Sequence, residues 1–348
     1  MIKNLIRGKG KIIAISSMVL ILAGGILIIA FLGEINTPVI KGNITVYTSV
    51  PSTIVESIKQ EFQKDYPEVD VEIFRAGTSI IMEQIFTDIN ETGQVGADIV
   101  WIADFVNIEE LKEKGLLQQY KSPQLDEVIF IFVDSEGFYT GSRLNTMVVV
   151  YNTEIIKEKP QDYTDLLNSS WKGKIGIPDP VVGGSAFYTG STLALNEDFG
   201  WDYFYELNKS QCVIAKNNRV LVENISDGDL YIGIVLDSTV RKHLKDNPTD
   251  PLDYVYPNNG SVVIASPIAI TRDCTDLIVS KTFVDWVIST RGQEFLSNEM
   301  GITPVRLDVD VPAGMMPLDQ LKVIPSNPRE IYEKRDNILN TLKEIFGL

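Results

Sequence analysis

Four short segments of the sequence set hydroxyls, glycines or a carboxylate at the end of an apolar run or the start of a helical one. They are Thr48-Ser49, Gly77-Thr78-Ser79, Ala103-Asp104 and Gly183-Gly184-Ser185-Ala186. In the last, two glycines allow close backbone approach and Ser185 stands where the next helix begins. Unpaired N–H groups and the helix dipole at such a start favour an anion. A plainer role is equally open, because Ser and Thr at these positions also cap their own helix. Thr48 and Ser49 can likewise be ordinary turn residues at the end of a strand. Asp237, after the apolar run 231–236, is a second strand-end carboxylate beside Asp104. Carboxylates near an anion repel it unless they meet a cation or hydroxyl groups; otherwise they cap a helix or pair with a base.

Enzyme chemistry finds little to work with. GGSAF lacks the final glycine of a G-x-S-x-G elbow, and neither H-E-x-x-H nor a phosphate-binding G-x-x-x-x-G-K-[ST] loop occurs. The single histidine, His243, lies in the polar run RKHLKD and reads as a surface residue. Nucleic acid is excluded as a partner on charge. The chain carries −16, and without the four bases of residues 1–11 the remainder stands at −20, with no basic patch.

The elements that must position these groups alternate. Residues 43–49 (NITVYTS) read as a buried strand and 51–66 as an amphipathic helix with Ile54, Ile58 and Phe62 on one face. Strand 69–76, helix 80–90, strand 98–103 and a helix from 108 follow, implying βαβ units and a mainly parallel sheet. The apolar run 145–151 is expected to cross to a second α/β set over 162–236, and 261–270 to cross back. Residues 283–298 read as one helix, and the tail 327–348 as a helix returning to the first set.

Lys3, Arg7, Lys9 and Lys11 precede an uncharged stretch, 12–33. About 20 apolar residues span a bilayer core, and bases before it with Glu34 after it place the N-terminus in the cytoplasm. A cleaved secretion signal is the competing reading. Such signals have an apolar core of roughly 7–15 residues and a small-x-small site, whereas this run is longer and no such site follows Phe31. Gly25 stands where a lipid-bearing cysteine would follow Leu22-Ala23-Gly24. The expectation is therefore a basic cytoplasmic segment 1–11, a transmembrane or signal-anchor helix 12–33, a linker 34–42 and an exported remainder at the cell surface. Cys212 and Cys274 are expected to lie apart as free thiols.

The blocks ITVYTS, PEVDVEIFRAGTS, ADIVWIAD, VVVYNTEII, DLLNSSWKGKIGIPDP with GGSA, and FVDWVISTRGQEFLSNEMGITPVRLDV occur in an order that resembles bacterial family 1 extracellular solute-binding proteins. They are most similar to the ferric-iron and phosphonate-binding branch, and the likeness runs over nearly all of the chain after residue 43. The resemblance implies an α/β, two-lobed periplasmic-binding-protein-like fold of type II with two crossing hinge strands. Lobe 1 would comprise 43–145 and 262–348, and lobe 2 would comprise 146–261. A solute would be held in the cleft, and a monomeric ectodomain would deliver it to the permease of an ABC importer.

By the same resemblance the cleft is lined by Thr48, Ser49, Gly77, Thr78, Ser79, Ala103, Asp104, Gly184, Ser185, Ala186, Asn218, Asp237, Ser238 and Asn259. Iron-binding relatives use adjacent tyrosines, where Ser238 and Thr239 stand here, and a histidine, where Val50-Pro51 stands. The implied ligand is a small oxyanion, 2-aminoethylphosphonate or a phosphate ester, with no cofactor and no metal. Ferric iron is the alternative ligand, and sensing through a membrane kinase the alternative role. Replacing Asp237 with Ala is expected to abolish binding and leave the fold's melting unchanged.

Overall fold

Residues 39–348 are described by the computed structural model. The segments 1–11 and 12–33 and most of the linker lie outside the described residues. Among the described residues, no helix is long and apolar enough to cross a membrane. β1 (Lys41–Thr48) begins two residues before the expected start. It is followed by α1 (Ser52–Asp65), β2 (Glu68–Arg75), α2 (Thr78–Thr92), β3 (Ile99–Trp101) and α3 (Phe105–Glu113). β1 pairs with β2 and β3 in parallel, the arrangement that helical crossovers produce.

β4 (Thr140–Asn152) is buried along its whole length. Then come β5 (Ile175–Pro178), α4 (Gly184–Leu195), α5 (Gly200–Lys209), β6 (Val213–Ala215), α6 (Asn218–Ser226), β7 (Ile232–Leu236), α7 (Asp237–Asp246) and β8 (Leu252–Val255). β9 (Val263–Ile270), α8 (Leu277–Ile288), α9 (Thr290–Met300), α10 (Pro328–Glu333) and α11 (Arg335–Phe346) complete the order. The sheet runs β2-β1-β3-β9-β4-β7-β5-β6, with β8 also on β4.

β4 joins the two halves of this sheet. Thr140–Thr146 pair with β9, and Met147–Asn152 pair with β7 and β8. Its C-terminal half is covered on both faces. Met147, Val149 and Tyr151 pack with Phe187 and Tyr203, while Val148 and Val150 pack with Leu221 and Val240. A strand buried on both faces reads as a continuous apolar run, which is why MVVVY shows no alternation. The return occurs over 256–262, between β8 and β9, where Val262 O accepts from Met147 N at 2.9 Å.

Two expectations are corrected. The helix expected over 283–298 is two helices, because Ser289 is extended and its Oγ accepts from Gly292 N at 3.1 Å to start α9. The tail does not rest on the first half alone. α10 packs on α3, with Arg329 to Glu113 at 3.4 Å, and Arg335 at the start of α11 meets Glu110 of α3 at 2.9 Å. α11 packs on α4 and α5, where the Phe346 and Phe204 rings stand 6.4 Å apart. Its apolar residues Ile338, Leu342 and Ile345 belong to the core around Phe187 and Tyr203, which outweighs any pull back to the first half.

Gly233 fixes how closely β7 and β5 approach, since a Cβ there would lie 2.6 Å from Gly176 O. Gly233→Ala is expected to destabilise the fold by about 1–3 kcal/mol through overpacking. A lower urea midpoint with unchanged slope would report it.

Candidate functional site

The peptide after β3 gathers three helix starts. Ala103 N donates to Thr78 Oγ1 at 3.4 Å, and Ala103 O accepts from Ser266 Oγ of β9 at 3.3 Å. Across from it lies Gly184 at the start of α4. A Cβ on Gly184 would stand 3.6 Å from the Ala103 methyl and 2.6 Å from Asp104 Oδ2. The beginnings of α2 and α3, in one half of the sheet, thus meet the beginning of α4, in the other. Gly77 and Ser79 are exposed beside this point, with open space around Gly77, and Thr78 is buried. Ala186 is buried one residue beyond Ser185.

Several hydroxyls and carboxylates here are already committed. Thr48 Oγ1 donates to Trp101 O at 2.9 Å and accepts from Val50 N at 3.1 Å, a local knot that leaves it fully buried. Asp104 caps α3. It accepts from Val106 N at 3.0 Å, from Asn107 N at 3.1 Å, and from the Asn107 side-chain amide on both oxygens. Burial raises its carboxyl above the usual range, against these donors. Ser49 differs: its N–H reaches Trp101 O at 3.0 Å, but its buried Oγ has no partner.

In the second half, Asn218 Nδ2 donates to Ser185 Oγ at 3.4 Å and Asn218 Oδ1 accepts from Leu236 N at 3.2 Å. One side chain thereby ties the start of α4 to the end of β7. Asp237, 2% exposed, accepts from Ser238 N at 2.7 Å, Thr146 N at 3.4 Å and Tyr256 OH at 3.1 Å, with Arg241 at 3.8 Å. Burial raises its carboxyl, with Arg241 the main opposing influence. Its position explains its bonds: Thr146 is where β4 passes from β9 to β7, and the carboxylate supplies an acceptor there. Ser238 Oγ donates to Asn145 Oδ1 at 3.5 Å.

Three expectations change. Asn259 does not join the cluster; it is exposed, and its N–H donates to Asp162 Oδ2 at 3.0 Å, beside the turn at Tyr163–Leu167. His243 is not a free surface residue, because its Nε2 meets Asp250 Oδ2 at 2.7 Å and its side chain is largely covered. Asp237 belongs to the frame, so its loss is now expected to destabilise the fold. Cys212 and Cys274 are unbridged.

The residues that motif reading passes over are Arg143 and Asn145 of β4. Arg143 lies opposite Ser266 after a register shift between Gly141 and Arg143, and is 6% exposed. Its Nε has neither partner nor solvent contact. Burial alone pushes its guanidinium down to about 10. The available signal is a charge inside a run, GSRLNTMVVVY, that otherwise reads as a buried strand.

The frame role of Asp237 has a measurable consequence. Asp237→Ala strips acceptors from Thr146 N, Ser238 N and Tyr256 OH, and each orphaned buried donor costs about 1–3 kcal/mol. A fall in the melting temperature of several degrees is expected, with Asp237→Asn less affected because one oxygen remains. An unchanged melt for the Ala variant would contradict the assignment.

Comparison with known proteins completes the picture. A family model described as bacterial extracellular solute-binding protein matches residues 96–327. An uncharacterized protein of Haemophilus influenzae is 26% identical over 295 residues, covering 81% of each chain. Iron-bound HitA of Pseudomonas aeruginosa is similar in structure, with a TM-score of 0.78 at 19% identity over 88% of this chain and 99% of its own. The periplasmic binding protein AfuA of Actinobacillus pleuropneumoniae, solved with fructose-6-phosphate bound, has a TM-score of 0.77 at 23% identity, covering 89% and 100%. These likenesses show a mixed α/β, periplasmic-binding-protein-like fold. Because the family match takes in well over half of its length, the chain belongs to the bacterial extracellular solute-binding proteins, which bind solutes and do not transform them.

Proposed function

We propose that this chain is the extracytoplasmic substrate-binding component of an ABC importer, and that its solute is a small organic molecule bearing a phosphate or phosphonate group. Its two lobes are the halves of the sheet on either side of the β4 handover, and they close over the solute at Ala103. The carrying observation is the meeting of α2 and α4, one from each half, around that residue, with the Ser49 hydroxyl buried beside them and unpartnered. Helix starts from two halves offer N–H groups and positive dipole ends to a shared anion. In this reading, segment 12–33 tethers a monomeric ectodomain beside the permease.

The chemistry of the site favours an oxyanion over ferric iron. A hard trivalent cation needs anionic oxygen ligands, and the oxygens of Asp104 and Asp237 are occupied by N–H and O–H donors. Tyr256 is held by Asp237, and Ser238 and Thr239 are neutral. The same occupancy bears on the ammonium of 2-aminoethylphosphonate, which would find no free carboxylate. A phosphate ester with hydroxyl groups suits the remaining neutral partners, Ser49, Ser185 and Asn145, better.

Thermal-shift titration tests the assignment. Fructose-6-phosphate or a related ester should raise the melting temperature progressively, by an amount equivalent to about 2.7 kcal/mol at a hundredfold excess over Kd. A shift with ferric citrate alone would overturn it. Uptake of the labelled ester should fall in cells lacking the protein; unchanged uptake would assign it to sensing.

A further inference from the structure

Among the arginines of the described residues, Arg143 alone is buried with nothing to balance it. Arg306, equally buried, is held by Asp308, Gln124 O and Ile288 O. Arg241 donates to Gly301 O and stands near Asp237. Arg75 is exposed and donates to Val50 O at 3.1 Å. Among the described residues the Arg143 side chain has no hydrogen-bond or ion-pair partner, and its guanidinium, though pushed down to about 10, keeps its charge at neutral pH. An unpaired buried guanidinium is expensive, and Arg is almost never fully buried without a partner. A planar fork of donors matches phosphoryl oxygens in two-pronged fashion.

Its place on the sheet gives the direction. Arg143 and Ser266 are opposite one another, so their side chains leave the same face, and Ser266 Oγ reaches Ala103 O at 3.3 Å. Asn145, two residues on, shares that face and meets Ser238 at 3.5 Å. We infer that Arg143 is the counter-charge for the ligand's phosphoryl or phosphonyl group, which docks on the strand that joins the two halves. This rests on the proposed oxyanion ligand and adds the residue that selects it by charge. The strand order β1-β3-β9-β4 puts Ser49 three strand spacings from Arg143, roughly 14 Å at about 4.8 Å each. That span fits an organic ester with its charged end between Arg143 and the helix starts around Ala103, and its hydroxyls toward Ser49. A bare ion would leave Ser49 unanswered.

The test uses the whole chain, with fructose-6-phosphate as probe and fructose as neutral control. Arg143→Met should bind fructose-6-phosphate at least 100-fold more weakly by calorimetry. Its ligand-free melt should stay level or rise by a few degrees, because an uncompensated charge has been removed. Arg143→Lys, which keeps the charge and loses the fork, should fall between. Fructose should bind neither wild type nor variant tightly. Equal affinity of Arg143→Met and wild type for fructose-6-phosphate would overturn the inference while leaving the proposed function standing. A ligand-free melt lowered by several degrees would also overturn it, by showing a structural role. A wild type that responds to ferric citrate and to no phosphate compound would bring down both. Should the Met variant fail to fold, a crystal structure of the unaltered chain with fructose-6-phosphate decides. Phosphoryl oxygens within hydrogen-bond reach of Arg143 support the assignment, and a phosphoryl group held elsewhere refutes it.

Discussion

β4 satisfies its backbone on two different sets of neighbours along thirteen residues. As far as Thr146 its ladder is with β9; from Met147 it is with β7 and β8. A buried N–H left unpaired at that handover would cost a full desolvation penalty, and the Asp237 carboxylate prevents it by accepting from Thr146 N. The strand, the start of α7 and the Tyr256 hydroxyl are thereby locked into one arrangement. Both halves of the sheet are built outward from this junction. A change in their relative angle has to be absorbed by the backbone near residues 145–147, by the return segment 256–262 and by the tail that packs α10 on α3 and α11 on α4 and α5.

Around that frame the polar groups fall into two populations. Thr48, Asp104, Asp237 and Asn218 are consumed by the fold, each holding a strand end or a helix start in place. Ser49 Oγ and Arg143 Nε are buried and unanswered. Of the seven buried side-chain atoms without a partner among the described residues, Arg143 Nε belongs to the one buried arginine that lacks any other partner, and such omissions call for a reason. The first population gives the site its rigidity, and the second gives it something to bind.

Much of this was legible in the chain itself. Apolar runs bounded by Gly, Ser and Asp located β1, β3, β4, β5 and β7 because burial on both faces leaves a continuous signal. The helix start near Gly184 is legible because glycines precede a periodic stretch, while the helix expected from 80 begins two residues earlier, at Thr78, with Gly77 and not a hydroxyl at its cap. What could not be read was which of two equivalent roles each polar residue plays. Asp104 and Asp237 look alike from their spacing as caps or as ligand groups, and only the count of their donors separates the two. Arg143 is not legible in the same way, because a charge near the start of a strand reads as a solvated end until its burial is known. The break at Ser289 and the reach of α11 across to α4 depend on tertiary contacts that periodicity does not carry.

The peptide at Ala103 has a consequence for how such a site changes over generations. Its amide, its carbonyl and its methyl each engage a different element, and Gly184 has room only for hydrogen next to Asp104. A side chain at position 184 would collide with the Asp104 carboxylate and press on the Ala103 methyl, so a change there has to be matched by its neighbours. Gly77 and Ser79, exposed with free space nearby, carry no such obligation. Side-chain changes along that rim therefore leave the junction undisturbed, whereas any residue larger than glycine at 184 strains the contact that brings the two halves together.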